Sequence, residues 1–81
     1  MTVKVRLFAR AKDLAGTDLL TVTLPDDAKV VDLRRWLATE HPRLEALLAR
    51  SAFAVNDEFA DDAQSLSTEV EIALLPPVSG G

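Results

Sequence analysis

The sequence has no cysteine, a single histidine and only three glycines among its 81 residues. The lack of cysteine excludes disulfide bonds, thiolate metal sites and a cysteine nucleophile. One histidine leaves too few nitrogen ligands for a transition-metal site built from this chain alone. The glycines are Gly16, Gly80 and Gly81, so no glycine-rich loop is present to hold a phosphate group. The composition therefore predicts no bound cofactor and no catalytic centre made of side chains.

Long apolar runs are also missing. No segment approaches the roughly 18 apolar residues of a membrane span, and the start lacks a signal-peptide core. These features predict a cytoplasmic protein with no membrane partner. The net charge of −4 argues against nucleic acid as a partner and favours a basic partner surface. A hydrophobic content of 48% beside 27% charged residues predicts a folded domain with a real core.

Hydrophobic periodicity predicts five strands and one main helix. In residues 2–8, Val3, Val5 and Leu7 alternate with polar neighbours, which is typical of a half-buried strand. In the main helix, over 30–41, Val30, Leu33 and Leu37 form one apolar stripe. The other predicted elements are a short helix over 9–15 that ends at Gly16, a helix from 42 to about 50, and strands over 18–24, 51–55, 58–60 and 69–75.

This order of elements predicts an α+β domain over residues 1–75. The arrangement that fits best is a ubiquitin-like β-grasp, in which a mixed sheet carries one main helix packed on one face. We expect the apolar final strand to lie beside the first strand and parallel to it. The pattern alone also fits a ferredoxin-like variant.

Residues 76–81 form a predicted extended tail. Proline at 76 and 77 removes two backbone donors, so the tail cannot continue a sheet ladder. Gly80 and Gly81 lack a Cβ and can pass through a channel too narrow for other residues. The tail would hold the α-carboxylate of Gly81 roughly 20 Å beyond the last strand. A carboxylate becomes an acyl donor only after activation, and this chain has no nucleotide site, so a partner enzyme would have to use ATP. The alternative is a frayed end without function.

Phe8 and Leu75 are apolar residues on the outward face of the two strands expected to be adjacent. Both lie at the C-terminal ends of those strands, beside the start of the tail. Together they predict a docking patch for a partner protein. A one-residue shift of strand parity or a β-bulge would instead turn one of them inward.

Other polar and aromatic residues favour structural roles. His41 precedes a proline and lacks a carboxylate or nucleophile at a useful spacing, so it is interpreted as a helix-end residue. Trp36 is interpreted as core packing beside the helix stripe. Asp61 and Asp62 are interpreted as a solvated turn, since nothing nearby would desolvate an acid–base pair.

Several short segments occur here in a characteristic order: VKVRLFAR at 3–10, Ala15-Gly16, VVDL at 30–33, AVN at 54–56, Glu69-Val70 and LLPPVSGG at 74–81. With these segments the chain resembles the small subunit of molybdopterin synthase, a family of ubiquitin-like sulfur carriers. The resemblance spans nearly the whole chain, and the tail is its most specific part.

The resemblance implies a β-grasp fold and a reactive terminus. An E1-like enzyme would adenylate Gly81, and sulfur from a donor protein would convert it to a thiocarboxylate. The tail residues Pro76, Pro77, Val78, Ser79 and Gly80 would insert into a catalytic large subunit. There the sulfur would pass to cyclic pyranopterin monophosphate. Phe8 and Leu75 would lie in the interface of a heterotetramer with two copies of each subunit.

The chain also departs from the family pattern. Many relatives carry glycine at the position of Asp57, Gly-Asp at Ser67-Thr68, and an aromatic residue at Leu75, which leaves turn geometry and interface detail open. Three other functions stay open on sequence grounds. They are a related sulfur carrier for thiamin, cysteine or tRNA thiolation, a ubiquitin-like protein modifier, and an interaction module with an inactive tail.

Overall fold

The computed structural model describes residues 1–77, which form a five-stranded mixed sheet with its helices on one face. The strand order is β2-β1-β5-β3-β4, with β1 and β5 parallel and the other neighbours antiparallel. This is the predicted β-grasp arrangement, and the parallel pairing of the first and last strands is confirmed. The elements are β1 Thr2–Leu7, α1 Ala9–Ala15, β2 Leu19–Thr23, α2 Val30–Glu40, a 3₁₀ turn Pro42–Leu44, α3 Glu45–Leu48, β3 Ala52–Val55, β4 Glu58–Ala60 and β5 Glu71–Leu75.

The core lies between one face of the sheet and α2. The predicted stripe on α2 is buried, and the apolar positions of the strands meet it. Each such side chain contributes about 1.5–3 kcal/mol when fully buried. The predicted inward position of Leu66, in the loop before β5, is also confirmed. The fully buried members of the core include Val3, Val5, Leu7, Val22, Val30, Leu33, Leu37, Leu44, Leu48, Phe53, Ile72 and Leu74.

The start of α2 is capped by a loop distant in sequence. Val30 N–H donates to the Gln64 carbonyl at 3.0 Å, and Val31 N–H donates to the Asp62 carbonyl at 3.1 Å. The Asp32 carboxylate accepts a hydrogen bond from Lys29 N–H at 2.8 Å. Helix N-termini leave such donors unpaired unless another group accepts them. The loop therefore compensates for Lys29, a residue type that is a poor N-cap.

Two helix boundaries differ from the prediction. The main helix ends at Glu40, one residue early, because His41 precedes Pro42 and adopts φ −129°. The predicted continuous helix over 42–50 is a 3₁₀ turn followed by α3, which ends at Leu48. Within the 3₁₀ turn, Leu44 N–H donates to the His41 carbonyl at 2.8 Å. In the described part of the chain, no helix is long and apolar enough to cross a bilayer.

Two predicted turns are confirmed. Gly16 ends α1 with φ 75° and its N–H donates to the Lys12 carbonyl at 2.9 Å, as a left-handed C-terminal glycine does. Asn56 and Asp57 join β3 to β4 with φ values of 49° and 69°. Positive φ at both positions is the signature of a two-residue type I′ hairpin turn.

The predicted start of the last strand is wrong. The alternating pattern placed Glu69 in the strand, but Glu69 has φ 66° and β5 begins at Glu71. A residue with this backbone conformation cannot extend a strand. The left-handed position in this turn is thus Glu69 rather than Ser67, where the family pattern suggested a glycine.

Glu69→Gly is expected to stabilise the protein by about 0.5–1 kcal/mol. Glycine removes the steric cost of the left-handed conformation, which exceeds the entropy that glycine adds to the unfolded chain. Ser67→Gly, at a neighbouring exposed residue without positive φ, is the matched control and should destabilise the protein. Urea denaturation of both variants measures the difference. Equal destabilisation by the two substitutions would contradict the assignment of strain to Glu69.

Candidate protein-docking face

Phe8 lies where β1 ends and α1 begins. The sequence predicted that Phe8 is the last residue of the strand, but β1 ends at Leu7. Phe8 is instead the residue that precedes α1, with φ −126° and ψ 156°. This backbone is still extended, so the side chain keeps the outward side that alternation assigns to it. The side chain is 45% exposed. The chain then turns sharply at Ala9, which has φ 51°, and the turn leaves Phe8 at the corner of the domain.

Leu75 ends β5 beside Phe8. Leu7 pairs with Leu74 in the parallel ladder, so the next residues, Phe8 and Leu75, leave their strands at the same level. Leu75 also pairs with Ala52 of β3 and is half-buried. Neither a parity shift nor a bulge turns Phe8 or Leu75 into the core. The predicted neighbourhood of these two residues is therefore present at the point where the tail begins.

Phe59 is a third apolar residue on this face, and it was missed in the sequence. It lies in β4 and is 80% exposed, the highest exposure among the large apolar side chains described. Ala60 pairs with the buried Phe53, so Phe59, one residue earlier, points to the opposite face. Strand parity in 58–60 separates Phe59 from Ala60, but only the register with β3 shows which of the two faces outward.

Short side chains connect the two ends of this face. Ala54 of β3 pairs with Phe59 on one side and with Ala73 of β5 on the other. Phe59 is level with Arg6 in the register, three strand spacings away, so it stands roughly 16 Å from Phe8, which lies two residues further along the chain. Two aromatic residues at the ends of a shallow apolar strip form a surface suited to a protein partner. We name Phe8, Ala54, Phe59, Ala73 and Leu75 the docking face.

The tail leaves the sheet from β5, within the docking face. Pro76 is half-buried, Pro77 is exposed, and neither belongs to a strand. This agrees with the expectation that proline stops the ladder. The predicted tail residues Val78, Ser79 and Gly80 and the predicted reactive residue Gly81 lie outside the described residues.

The remaining polar and aromatic residues singled out in the sequence lie apart from the docking face. Among residues 1–77, no group of three or more His, Asp or Glu side chains lies close enough to hold a metal ion. His41 is the C-cap residue after α2, and its ring lies 6.2 Å from the Trp36 ring, which packs half-buried against the core. Asp61 accepts a hydrogen bond from Ala63 N–H at 3.0 Å, as in a turn. Asp62 was predicted to be a solvated turn residue, but its carboxylate forms an ion pair with Arg34 at 2.9 Å.

The fold is that of a ubiquitin-like β-grasp protein, and the docking face is an exposed apolar surface on its sheet. Comparison with known proteins gives the family. The model of the ThiS family matches residues 5–81, so the chain belongs to that family. It is 35% identical, over the full length of both chains, to the molybdopterin synthase sulfur carrier subunit of Chlamydomonas reinhardtii.

Solved structures agree with this assignment. The crystal structure of SAMP1 from Haloferax volcanii matches with a TM-score of 0.88 and 31% identity, and the match covers all of both chains. A chain in the structure of molybdopterin-converting factor from Helicobacter pylori matches with a TM-score of 0.73 and 33% identity, again over all of both chains. That structure is a protein–protein complex of the two subunits.

Proposed function

We propose that this chain is the sulfur carrier subunit of molybdopterin synthase, and that Gly81 carries the sulfur. The observation that supports it most is the position of the docking face. Phe8 and the half-buried Leu75 lie at the end of β5, and the exposed Phe59 lies two strands away on the same side of the sheet. A partner seated on these three residues would receive the segment ending in Gly80-Gly81 directly. The names of the curated relatives favour the pterin pathway over thiamin, cysteine or tRNA thiolation.

The proposed chemistry occurs at the carboxylate of Gly81. The carboxylate attacks the α-phosphorus of ATP on an E1-like enzyme, and pyrophosphate leaves. A hydrosulfide equivalent from a sulfur donor protein then attacks the acyl carbon, and AMP leaves, which gives the thiocarboxylate. In the large subunit the thiocarboxylate sulfur attacks a carbon of cyclic pyranopterin monophosphate, the C–O bond at that carbon breaks, and the oxygen leaves in the phosphate group or as water. Hydrolysis of the acyl–sulfur bond restores the carboxylate, and two deliveries supply the dithiolene.

The described part of this chain contributes binding rather than catalysis to these steps. The sheet holds the docking face against the large subunit, and Pro76 and Pro77 stiffen the start of the tail. A heterotetramer with two copies of each subunit, located in the cytoplasm, completes the proposal. No cofactor is bound by this chain, since ATP is used by the activating partner.

Intact-mass spectrometry tests the proposed carrier function. The full chain is incubated with its E1-like enzyme, ATP and a sulfide source. We expect a mass increase equal to the replacement of one oxygen by sulfur, and no change when ATP is omitted. If the mass stays constant in the complete mixture while a known carrier reacts with its own enzyme, the proposal is wrong. Conjugates of higher mass on lysines of other proteins would instead indicate a protein modifier.

Phe59→Asp is expected to weaken binding to the large subunit by at least about 30-fold. A buried aromatic anchor at an interface contributes about 2 kcal/mol or more, and a carboxylate there would also be desolvated. Folding should be unaffected, because the side chain is 80% exposed in the free protein. Ala46→Asp, on the exposed side of α3, adds the same charge away from the docking face and should bind normally. Calorimetric titration compares the two, and equal affinities would contradict the docking role of Phe59.

A further inference from the structure

The charges of this acidic chain are unevenly distributed. The first twelve residues contain four cations and no acid, although the whole chain has a net charge of −4. The cations are Lys4, Arg6, Arg10 and Lys12. All four side chains are exposed, and they flank Phe8 on both sides in the sequence. The segment on either side of Phe8 is thus basic, although the rest of the chain is acidic.

Three of these cations are available to a partner. Arg6 and Lys12 line a cleft of about 260 Å³ together with Phe8, and Asp18 is the one acid in its lining. Arg10 is exposed in α1, two residues after Phe8. Within residues 1–77, no ion pair involves any of these three cations. Lys4 differs, because it stands opposite Glu71 in the β1–β5 ladder, where an acid partly balances it.

The cations also lie beside the apolar surface rather than apart from it. Arg6 pairs in the sheet with Ala73, a member of the docking face. Arg6 also shares the cleft with Phe8. Exposed charges interact mainly within a Debye length of about 8–10 Å. A partner charge near Phe8 therefore interacts more strongly with these cations than with acids elsewhere on the domain. The local charge, not the net charge, determines which partner surface fits.

We infer that the large-subunit surface that meets Phe8 is rimmed by carboxylates, which pair with Arg6, Arg10 and Lys12 and steer association. This inference rests on the proposed function, and it gives the partner surface the opposite sign to that expected from the net charge. Charges at the rim of an interface change the association rate more than the dissociation rate. Steering by such a patch raises association rates by about 10-fold or more.

The test measures association rates with the large subunit from the same organism by stopped-flow at low and high salt. The reversal variant is Arg10→Glu/Lys12→Glu, and the neutral variant is Arg10→Gln/Lys12→Gln, which keeps good helix formers in α1. The matched control is Lys29→Glu/Arg35→Glu, which changes the net charge as much as the reversal variant but at exposed residues that neither flank Phe8 nor line the cleft. Circular dichroism and thermal melts verify that every variant is folded.

We expect the reversal variant to associate about 10-fold more slowly at low salt, the neutral variant to be intermediate, and the control to stay within about twofold of wild type. High salt should slow the wild type and remove most of the difference. Equal rates for reversal and control variants would overturn the inference, as would faster association of the reversal variant, which would indicate a basic partner surface. Failure of the wild type to bind the large subunit at all would instead refute the proposed function.

Discussion

A chain extended by one alanine beyond Gly81 is expected to form no molybdopterin, although it folds and binds the large subunit normally. The extension moves the terminal carboxylate by roughly 3.5 Å and places a Cβ where the natural chain has none. Neither the activating enzyme nor the large subunit would then hold the reacting carbon in position, and misplacement of this size is enough to stop a reaction. Removal of Gly81 should also abolish molybdopterin formation, because it withdraws the terminal carboxylate by one residue.

The measurement pairs two readouts. Dithiolene formation from cyclic pyranopterin monophosphate is followed in a reconstituted mixture, and affinity for the large subunit is measured separately. The chain with the alanine extension should lose dithiolene formation and keep its affinity for the large subunit, whereas Phe59→Asp should lose affinity. If the extended chain supports dithiolene formation without removal of the extra residue, Gly81 is not the sulfur-carrying residue.

Arg34→Met is expected to lower the free energy of unfolding by about 2–3 kcal/mol. Arg34 lies on α2 and its Nη1 donates to the carbonyls of Leu48 and, at 2.9 Å, of Ser51. Its guanidinium carbon stands 5.0 Å from the centre of the Phe53 ring, and Nη2 pairs with Asp62 at 2.9 Å. One side chain thus joins the helix to the start of β3 and to the loop that caps α2. Methionine keeps the apolar stem but leaves the Ser51 carbonyl without this donor.

Two controls separate the parts of this interaction. Arg35→Met, at the exposed neighbouring position, should cost less than about 0.5 kcal/mol. Asp62→Asn should cost at most about 1 kcal/mol, because the Asp62 side chain is 52% exposed and solvent screens the ion pair. Thermal denaturation should show a decrease in melting temperature of more than about 8 °C for Arg34→Met alone. Similar decreases for Arg34→Met and Arg35→Met would contradict the role assigned to Arg34.

Local pattern was enough to predict the five strands, the main helix and their order, although not every boundary. Alternation in residues 2–8 and the stripe of Val30, Leu33 and Leu37 depend only on backbone periodicity, which is read directly from spacing. Gly16 and Asn56-Asp57 were recognised because their turns require residues that tolerate positive φ. The pairing of the first and last strands followed from the apolar character of both.

Glu69 shows where such patterns fail. Its alternation with Val70 fits a strand, but the connection from Leu66 to β5 needs a left-handed residue there. The requirement comes from where the loop must begin and end, which local spacing does not contain.

The amino-acid pattern thus settled the fold class and pointed to Phe8 and Leu75, since periodicity and terminal composition are local properties. Only the folded structure placed Phe59 on the same face, brought Arg34 to Asp62, and set Arg6 and Lys12 around one cleft. Each of these groupings joins residues from different elements. Their proximity results from strand register and helix packing, which depend on the whole core at once rather than on any single segment.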